Sequence, residues 1–294
     1  MSSRQRMAAP VLNDTPVHAQ REREFDFTDQ DFQQIRGLIY EHAGISLNTS
    51  KVDMVYSRIA RRLRATGLTS FEDYLAFLNE NEGEWQHFIN SLTTNLTSFF
   101  RESHHFPVLA ELAVKAMNQG RRPIRFWSSA CSTGEEPYSM AMTLIDALGS
   151  WTPPVRILAT DLDTNVVRHA AQGIYPVERV RKLPEQDLKR FFQRGRGAQE
   201  GMVRVRPEVR ALVSFNSLNL LSEDWPIKGP FDAIFCRNVL IYFDKPTQSK
   251  LLARFHPLLR ADGLLFVGHS ESLTHVADRF RLQGKTVYAP VART

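Results

Sequence analysis

Residues 123–143 read Pro-Ile-Arg-Phe-Trp-Ser-Ser-Ala-Cys-Ser-Thr-Gly-Glu-Glu-Pro-Tyr-Ser-Met-Ala-Met-Thr. An apolar run (Ile124, Phe126, Trp127) gives way to small side chains from Ser128 to Gly134. Glu135-Glu136-Pro137 then marks a helix start, because acids suit the unpaired N–H groups of a first turn and a proline there loses nothing. Tyr138, Met140, Ala141, Leu144 and Ile145 follow at helical spacing. The stretch predicts strand, tight turn and helix, the opening unit of an open α/β sheet whose strand ends hold a nucleotide-like ligand. Small side chains let such a ligand approach the backbone. A lone Gly134 is not the Gly-x-Gly-x-x-Gly of a dinucleotide site, and two carboxylates at a helix N-terminus repel phosphate. A cationic or hydroxyl-bearing ligand suits the acids; an ordinary connection with a solvated Glu pair is the alternative reading of the same residues.

Around this unit, a chain of 294 residues, 43% hydrophobic and 23% charged, has the length and composition for one large or two modest globular domains. It holds no apolar run long enough to cross a bilayer, and its N-terminus lacks the apolar segment of a signal peptide. Cys131 and Cys236 form neither a disulfide framework nor a metal-ligand spacing. They predict a reducing cytosol, no metal, and two small buried residues at strand ends. A net charge of +5 and a pI near 9.3 imply an anionic partner, whether nucleic acid, lipid or acidic protein.

Upstream, residues 1–24 are polar and carry Pro10 and Pro16, which predicts a disordered tail. A helical module follows over about 25–92. Thr28 caps a helix with Phe32, Ile35, Leu38 and Ile39 on one face, closed by Gly44; a second helix runs from Lys51 to about Ala65 and ends at Gly67. On that second helix Val52, Val55, Tyr56, Ile59 and Leu63 share one face, with Lys51, Arg58, Arg61 and Arg62 on an adjoining one. Acids do not interleave after Asp53, so no ion pair within the helix neutralises the stripe, which suits phosphates or an acidic helix as well as plain solvent. Two shorter helices, from Thr69 and over Glu82–Leu92, complete the module. The segment Thr93–Glu102 joins it to the sheet; Asn95, Thr97 and Arg101 there are linker residues or ligand contacts.

Downstream, Val155–Asp163 predicts a second buried strand ending in acids. Asp161 at its tip is placed to accept from both hydroxyls of a ribose, with Asp163 or Thr164 as the cap of the next helix. Residues 174–212 break the alternation. They read as a small antiparallel insert with a glycine-rich turn, a cationic face and an open edge, suited to strand addition by a peptide or simply protected by its charge. Further strands are expected at Val213–Leu220, Phe231–Cys236 and Gly263–His269, with a helix over Lys245–Leu259. Arg237, Asn238 and Tyr242 follow a strand tip and project toward the cleft. A terminal hairpin closing a parallel sheet is typical of methyltransferases rather than dehydrogenases.

Four stretches in register carry a resemblance. They are Leu92–Glu102 (LTTNLTSFFRE), Ser132–Ser139 (STGEEPYS), Phe231–Asp244 (FDAIFCRNVLIYFD) and Gly263–Glu271 (GLLFVGHSE). From about residue 25 to the C-terminus the chain resembles the CheR family of chemotaxis receptor methyltransferases. The resemblance implies an α/β fold: a Rossmann-like class I methyltransferase sheet with an inserted antiparallel β-subdomain over about 174–212, spanning 93–294, plus an N-terminal all-helical domain over 25–92. It implies transfer of a methyl group from S-adenosyl-L-methionine to glutamate side chains of chemoreceptors, forming methyl esters and S-adenosyl-L-homocysteine. Position by position, Asn95, Thr97, Arg101, Glu136, Asp161, Asn219, Leu220, Arg237 and Asn238 are implied cofactor contacts; Glu136 matches the family position better than Glu135. Arg101 and Tyr242 are implied to lie near the transferred methyl, and Lys51, Arg58, Arg61 and Arg62 to face the receptor helices. The implied protein is a cytoplasmic monomer without a metal, nucleic acid or membrane insertion, its β-subdomain binding a receptor-tail pentapeptide. A nucleic-acid methyltransferase and a non-catalytic cofactor-sensing or receptor-binding module are the alternatives.

Overall fold

The structure, a computed structural model, describes residues 23–292. The expected tail therefore lies outside the described residues, apart from Arg23 and Glu24, which pair with Asp53 and Arg64.

The chain begins with four helices: α1 (Asp29–Ala43), α2 (Val52–Thr66), α3 (Phe71–Glu80) and α4 (Glu82–Leu92). Thr28 caps α1 in a reciprocal box with Asp31, and Gly44 ends it in the left-handed conformation. Ser70 caps α3 in the same way as Thr28, by accepting from the backbone N–H three residues on. Phe32, Ile35, Val55, Ile59, Leu63, Tyr74 and Phe88 meet in one core, the apolar faces that the helical spacing predicts. After a turn comes α5 (His105–Asn118), whose Phe106, Leu109, Leu112 and Ala116 are buried. His104 provides no capping hydrogen bond, so nothing in the polar junction before it announces this helix.

The second layer runs β1 (Ile124–Ser128), α6 (Glu135–Leu148), β2 (Val155–Asp161), α7 (Thr164–Gln172), β3 (Ile174–Pro176), α8 (Val177–Val180), α9 (Glu185–Phe191), β4 (Phe192–Arg194), β5 (Met202–Val205), α10 (Pro207–Arg210), β6 (Val213–Ser217), β7 (Phe231–Cys236), α11 (Lys245–Phe255), β8 (Leu259–Val267), β9 (Phe280–Gly284) and β10 (Val287–Pro290). The main sheet has the order β6-β2-β1-β7-β8-β10-β9. Its first five strands are parallel, and β10 inserts antiparallel between β8 and β9. Every residue of β7 is buried, as a central parallel strand requires. The helix expected over Lys245–Leu259 stops at Phe255; a 3-10 turn with Pro257 in its first turn intervenes, and Leu259 already starts β8. The insert is a separate sheet, β3-β5-β4. Its alternating strand β5 lies in the middle, so the open edges belong to β3 and β4.

The cationic face of α2 is narrower than its sequence predicts. Arg62 forks onto Glu84 of α4 through Nε and Nη2, both at 2.8 Å, and the Tyr74 hydroxyl donates to the same carboxylate at 2.8 Å. Arg58 donates to the carbonyls of Ser91 and Thr93 at 3.2 and 2.6 Å. Glu84 supplies from another helix the acid that α2 itself lacks. Lys51 and Arg61 remain exposed. Arg62→Ala is expected to destabilise the protein by roughly 2–4 kcal/mol in urea unfolding, because it leaves the nearly buried Glu84 carboxylate without its cation. A loss below about 0.5 kcal/mol, the usual effect of a surface change, would return Arg62 to the exposed face.

Candidate functional site

The parallel strands β6, β2, β1 and β7 all point their C-terminal ends at one cavity of about 220 Å³, the place where open α/β sheets bind ligands. Its floor is the loop after β1 (Ser129, Ala130, Ser132) with Glu136 of α6. Asp161 and Leu162 close it after β2, Asn219 and Leu220 after β6, and Arg237, Asn238 and Tyr242 after β7. The junction contributes Asn95, Leu96, Thr97 and Arg101, and the helical module roofs it with Ile45, Asn48, Lys51 and Met54. All the residues expected to contact the cofactor or the methyl thus meet here, together with Lys51; Arg58, Arg61 and Arg62 lie outside the lining. The roof over residues 45–48 is a part that sequence reasoning missed, since nothing in Ile45–Asn48 marks it apart from any interhelical loop.

The two neighbouring acids of α6 separate cleanly. Glu135 turns away and is fully buried against Arg179, and Thr133 donates to it at 2.6 Å. Glu136 faces the cavity, accepting from Ser128 Oγ at 2.7 Å and Arg237 Nη1 at 3.0 Å. Burial pushes the Glu136 carboxyl up, while Arg237 and Ser128 pull it down. The turn before them depends on Gly134, which has φ +98°; a Cβ there would sit 2.8 Å from both Ala170 Cβ and Tyr175 Oη.

Asp161 accepts from the backbone N–H groups of Ser132 at 2.8 Å and Asp163 at 3.0 Å, which leaves lone pairs on both oxygens. Burial raises its carboxyl to about 6, even though these N–H groups favour the charge. Asp163, as expected, caps α7 by accepting from Asn165 and Val166. Its other oxygen takes the Asn95 amide at 2.8 Å, so Asn95 is held against the β2 end. Asn219 donates to the His42 carbonyl at 2.6 Å and accepts from Leu221 N–H, tying α1 to the sheet.

Arg237 is the hub. Its side chain is 1% exposed and reaches Glu136, Glu102 at 3.4 Å and the carbonyl of Arg101. Glu102, which the motif contains but to which sequence reasoning gave no role, also accepts from Asn238 Nδ2 at 3.2 Å and His269 Nδ1 at 2.9 Å. Burial works against the Glu102 charge, yet the His269 hydrogen bond and the Arg237 cation outweigh it and hold the carboxyl at about 2. Gly268 lets these parts close up, since a Cβ there would lie 2.5 Å from Asn238 Nδ2 and 2.9 Å from Glu271 Oε2.

Behind Glu102 sits His105, fully buried, with Nε2 at 2.9 Å from Thr286 Oγ1 and Nδ1 at 3.9 Å from Glu102 Oε2. Glu102, His104 and His105 bring donor atoms within 4.8 Å of one another, but Arg237 already shares this carboxylate, so a metal ion there would face a guanidinium. Burial, with the charge of Arg237, lowers His105 to about 3 from an ordinary 6.5.

The donor set fits S-adenosylmethionine. Two acids with spare acceptor capacity suit a ribose diol and an ammonium, and Met54, Leu162, Leu220 and Phe243 offer apolar walls for a base. The sheet order, the antiparallel last strand and this cavity define a class I S-adenosylmethionine-dependent methyltransferase. The family model "CheR methyltransferase, SAM binding domain" matches residues 95–289, and "CheR methyltransferase, all-alpha domain" matches 30–93. The chain belongs to the CheR methyltransferase family. It is 54% identical over 281 residues to chemotaxis protein methyltransferase 2 of Pseudomonas aeruginosa, covering 96% of this chain and 99% of that one. To the chemotaxis protein methyltransferase of Escherichia coli it is 54% identical over 264 residues, 89% and 91% of the two chains. That of Borreliella burgdorferi is 35% identical over 257 residues, 84% and 90%. Among the described residues, no helix is long and apolar enough to cross a membrane.

A histidine held neutral by the fold gives stability that is complete above pH 6.5 and lost as pH falls toward about 3, because the unfolded chain takes up a proton that the folded one refuses. The stability gap between the wild type and His105→Leu is therefore expected to move toward the variant by about 1.4 kcal/mol per pH unit below 6.5. Urea unfolding at pH 7, 6 and 5 measures it; a gap that does not change with pH means that His105 takes up its proton in the folded protein as readily as in the unfolded chain.

Proposed function

We propose that the protein methylates glutamate side chains on the cytoplasmic helices of chemoreceptors, and that the cavity at the strand ends is where this occurs. The observation that carries the reading is the meeting of Arg101 and Tyr242 with Glu136 and Asp161 in one cavity whose rim also bears Lys51. The named chemotaxis protein methyltransferases that it resembles over nearly their whole length support the same reading. The nucleic-acid alternative loses its main argument, because two cations of the α2 stripe are engaged inside the protein.

When bound, the cofactor supplies a methyl group on a positively charged sulfur. A glutamate acceptor is already ionised at neutral pH, so the protein needs no general base. Its tasks are orientation and exclusion of water, since a reaction that cancels a cation against an anion is slowed by any solvent that stabilises both. Asp161 and Glu136 bind and orient the cofactor, Arg101 steers the incoming carboxylate, and Tyr242 closes the cavity over the pair. Arg101 is partly exposed and donates to the Leu96 carbonyl at 2.8 Å, which leaves donors of its guanidinium for substrate. A cation that steers without clamping keeps the carboxylate nucleophilic. Arg61, exposed on α2 outside the cavity lining, adds an attraction for an acidic helix. The β4 edge, three residues long, is available for strand addition by a receptor-tail peptide.

Incubation with labelled S-adenosylmethionine and receptor-bearing membranes is expected to produce base-labile methyl ester; label that resists base would exclude a glutamate ester. Arg101→Ala and Tyr242→Phe are expected to lower turnover roughly ten- to a hundredfold while cofactor affinity changes less than about threefold. Wild-type turnover in Arg101→Ala removes its assigned role. Arg61→Glu is expected to raise the KM for receptor roughly three- to tenfold, less so at high salt, with cofactor affinity unchanged. A KM that stays at the wild-type value would make Arg61 a solvated surface charge.

A further inference from the structure

The last of the four motif stretches, Gly263–Glu271, ends in a carboxylate that the site described above does not use. Glu271 is 6% exposed, and its partners are backbone N–H groups. Its Oε2 accepts from Gly268 and, at 2.9 Å, from Asn238; its Oε1 accepts from Ile241 at 3.3 Å. Closing the local turn needs only Gly268. Asn238 and Ile241 belong to the loop after β7, 33 and 30 residues away in the chain. That loop carries Arg237, Asn238 and Tyr242 and contains the 3-10 turn Leu240–Tyr242, whose preceding residue, Val239, has no side chain that could cap it. Glu271 supplies the missing acceptor from the end of β8. The carbonyl side of the same turn is held from α11. Gln248, 8% exposed, donates through Nε2 to the carbonyls of Leu240 at 2.8 Å and Phe243 at 3.0 Å. The Tyr242 carbonyl accepts from Ser46 N–H at 2.9 Å. The backbone around Tyr242 is thus tied through its donors and its acceptors, while the side chain lines the cavity.

We infer that Glu271 and Gln248 are positioning residues that act through Tyr242, fixing the turn from which its hydroxyl reaches the reacting pair. The inference rests on the reading given above, that Tyr242 closes the cavity over cofactor and acceptor. Glu271 has to be a carboxylate for this. Both of its oxygens face N–H groups, so a glutamine there would turn its NH2 on one of them in either orientation. Asn238 or Ile241 then loses its acceptor, and the loop shifts to find another. Without Gln248 the carbonyls of Leu240 and Phe243 lose their donor, with the same result. A shift on the order of 1 Å in a group that must align with a reacting bond costs up to about a hundredfold in rate. A residue that merely supported the fold would lower the amount of folded enzyme without changing what the Tyr242 hydroxyl contributes in it.

Methylation of receptor-bearing membranes by the full chain at saturating S-adenosylmethionine tests this. Wild type, Glu271→Gln and Gln248→Leu are each compared with and without Tyr242→Phe. Removing the hydroxyl is expected to slow the wild type roughly ten- to a hundredfold but either variant less than about threefold, because a displaced ring has already lost what its hydroxyl contributes. A larger penalty in either folded variant overturns the inference, as does wild-type turnover in Glu271→Gln. The two variants are read separately, so a failure of one to fold leaves the other decisive. A wild type that Tyr242→Phe does not slow overturns the role of Tyr242 and the inference with it. A wild type that methylates no receptor overturns the proposed function, and this outcome is separate from any comparison of penalties.

Discussion

The buried guanidinium of Arg237 is the constraint around which the site is arranged. A charge removed from water is tolerated only with partners of opposite sign and with its donors engaged. Arg237 meets that demand at its two terminal nitrogens, with a carboxylate from the start of α6, a carboxylate from the junction, and a backbone carbonyl beside the latter, while its Nε is buried without a partner among the described residues. These three belong to separate stretches of chain, so satisfying one side chain brings the helix after β1, the segment before α5 and the loop after β7 into register. The same demand explains local features that look unrelated in isolation. Glu102 and Asn238 both adopt left-handed backbone, and Gly268 has no room for a side chain. All three lie on the path by which Arg237, Glu102 and Asn238 reach one another.

The sheet was legible because its strands are buried on both faces and read as apolar runs, each stopped by small or charged residues. Ile124–Ser128, Val155–Asp161 and Phe231–Cys236 could hardly be anything else. The hairpin at the end, whose first strand is mostly exposed, was legible from two short strand-like stretches close together at the end of the chain, and it separates this topology from a dehydrogenase's. Most of the cavity was found through four motifs in register rather than through chemistry. Asn95 looks like a linker residue, and Asn219 like one more position of the strand expected over Val213–Leu220, until Asp163 and the His42 carbonyl are brought beside them. What was missed is long-range: Glu84 against Arg62, Glu102 against Arg237, and the roof at Ile45–Asn48. A single sequence shows charges but not which distant charge will meet them, and a helix stripe therefore looks freer than it is. The strand β5 makes the same point, since alternation shows a half-exposed strand and cannot say whether it will be central or at an edge.

The polar residues of the cavity fall into two groups, and the division follows the direction from floor to mouth. Toward the floor, Asp161, Glu136, Arg237, Asn95 and Asn238 already hold hydrogen bonds to the protein. Their rotamers are fixed before any ligand arrives, so binding there costs little ordering, and their dipoles need not reorganise during reaction. Among the described residues, the side chains of Lys51, Thr97 and Tyr242 have no such hydrogen bond, and Leu96, at 76% exposure, stands beside them at the rim. Under the proposed reading this is the arrangement that a two-substrate enzyme needs. A small cofactor of constant shape is served by a rigid floor. A protein substrate that must present several different glutamates is served by a rim whose side chains can still adjust, and whose few cations attract acidic helices without selecting one geometry.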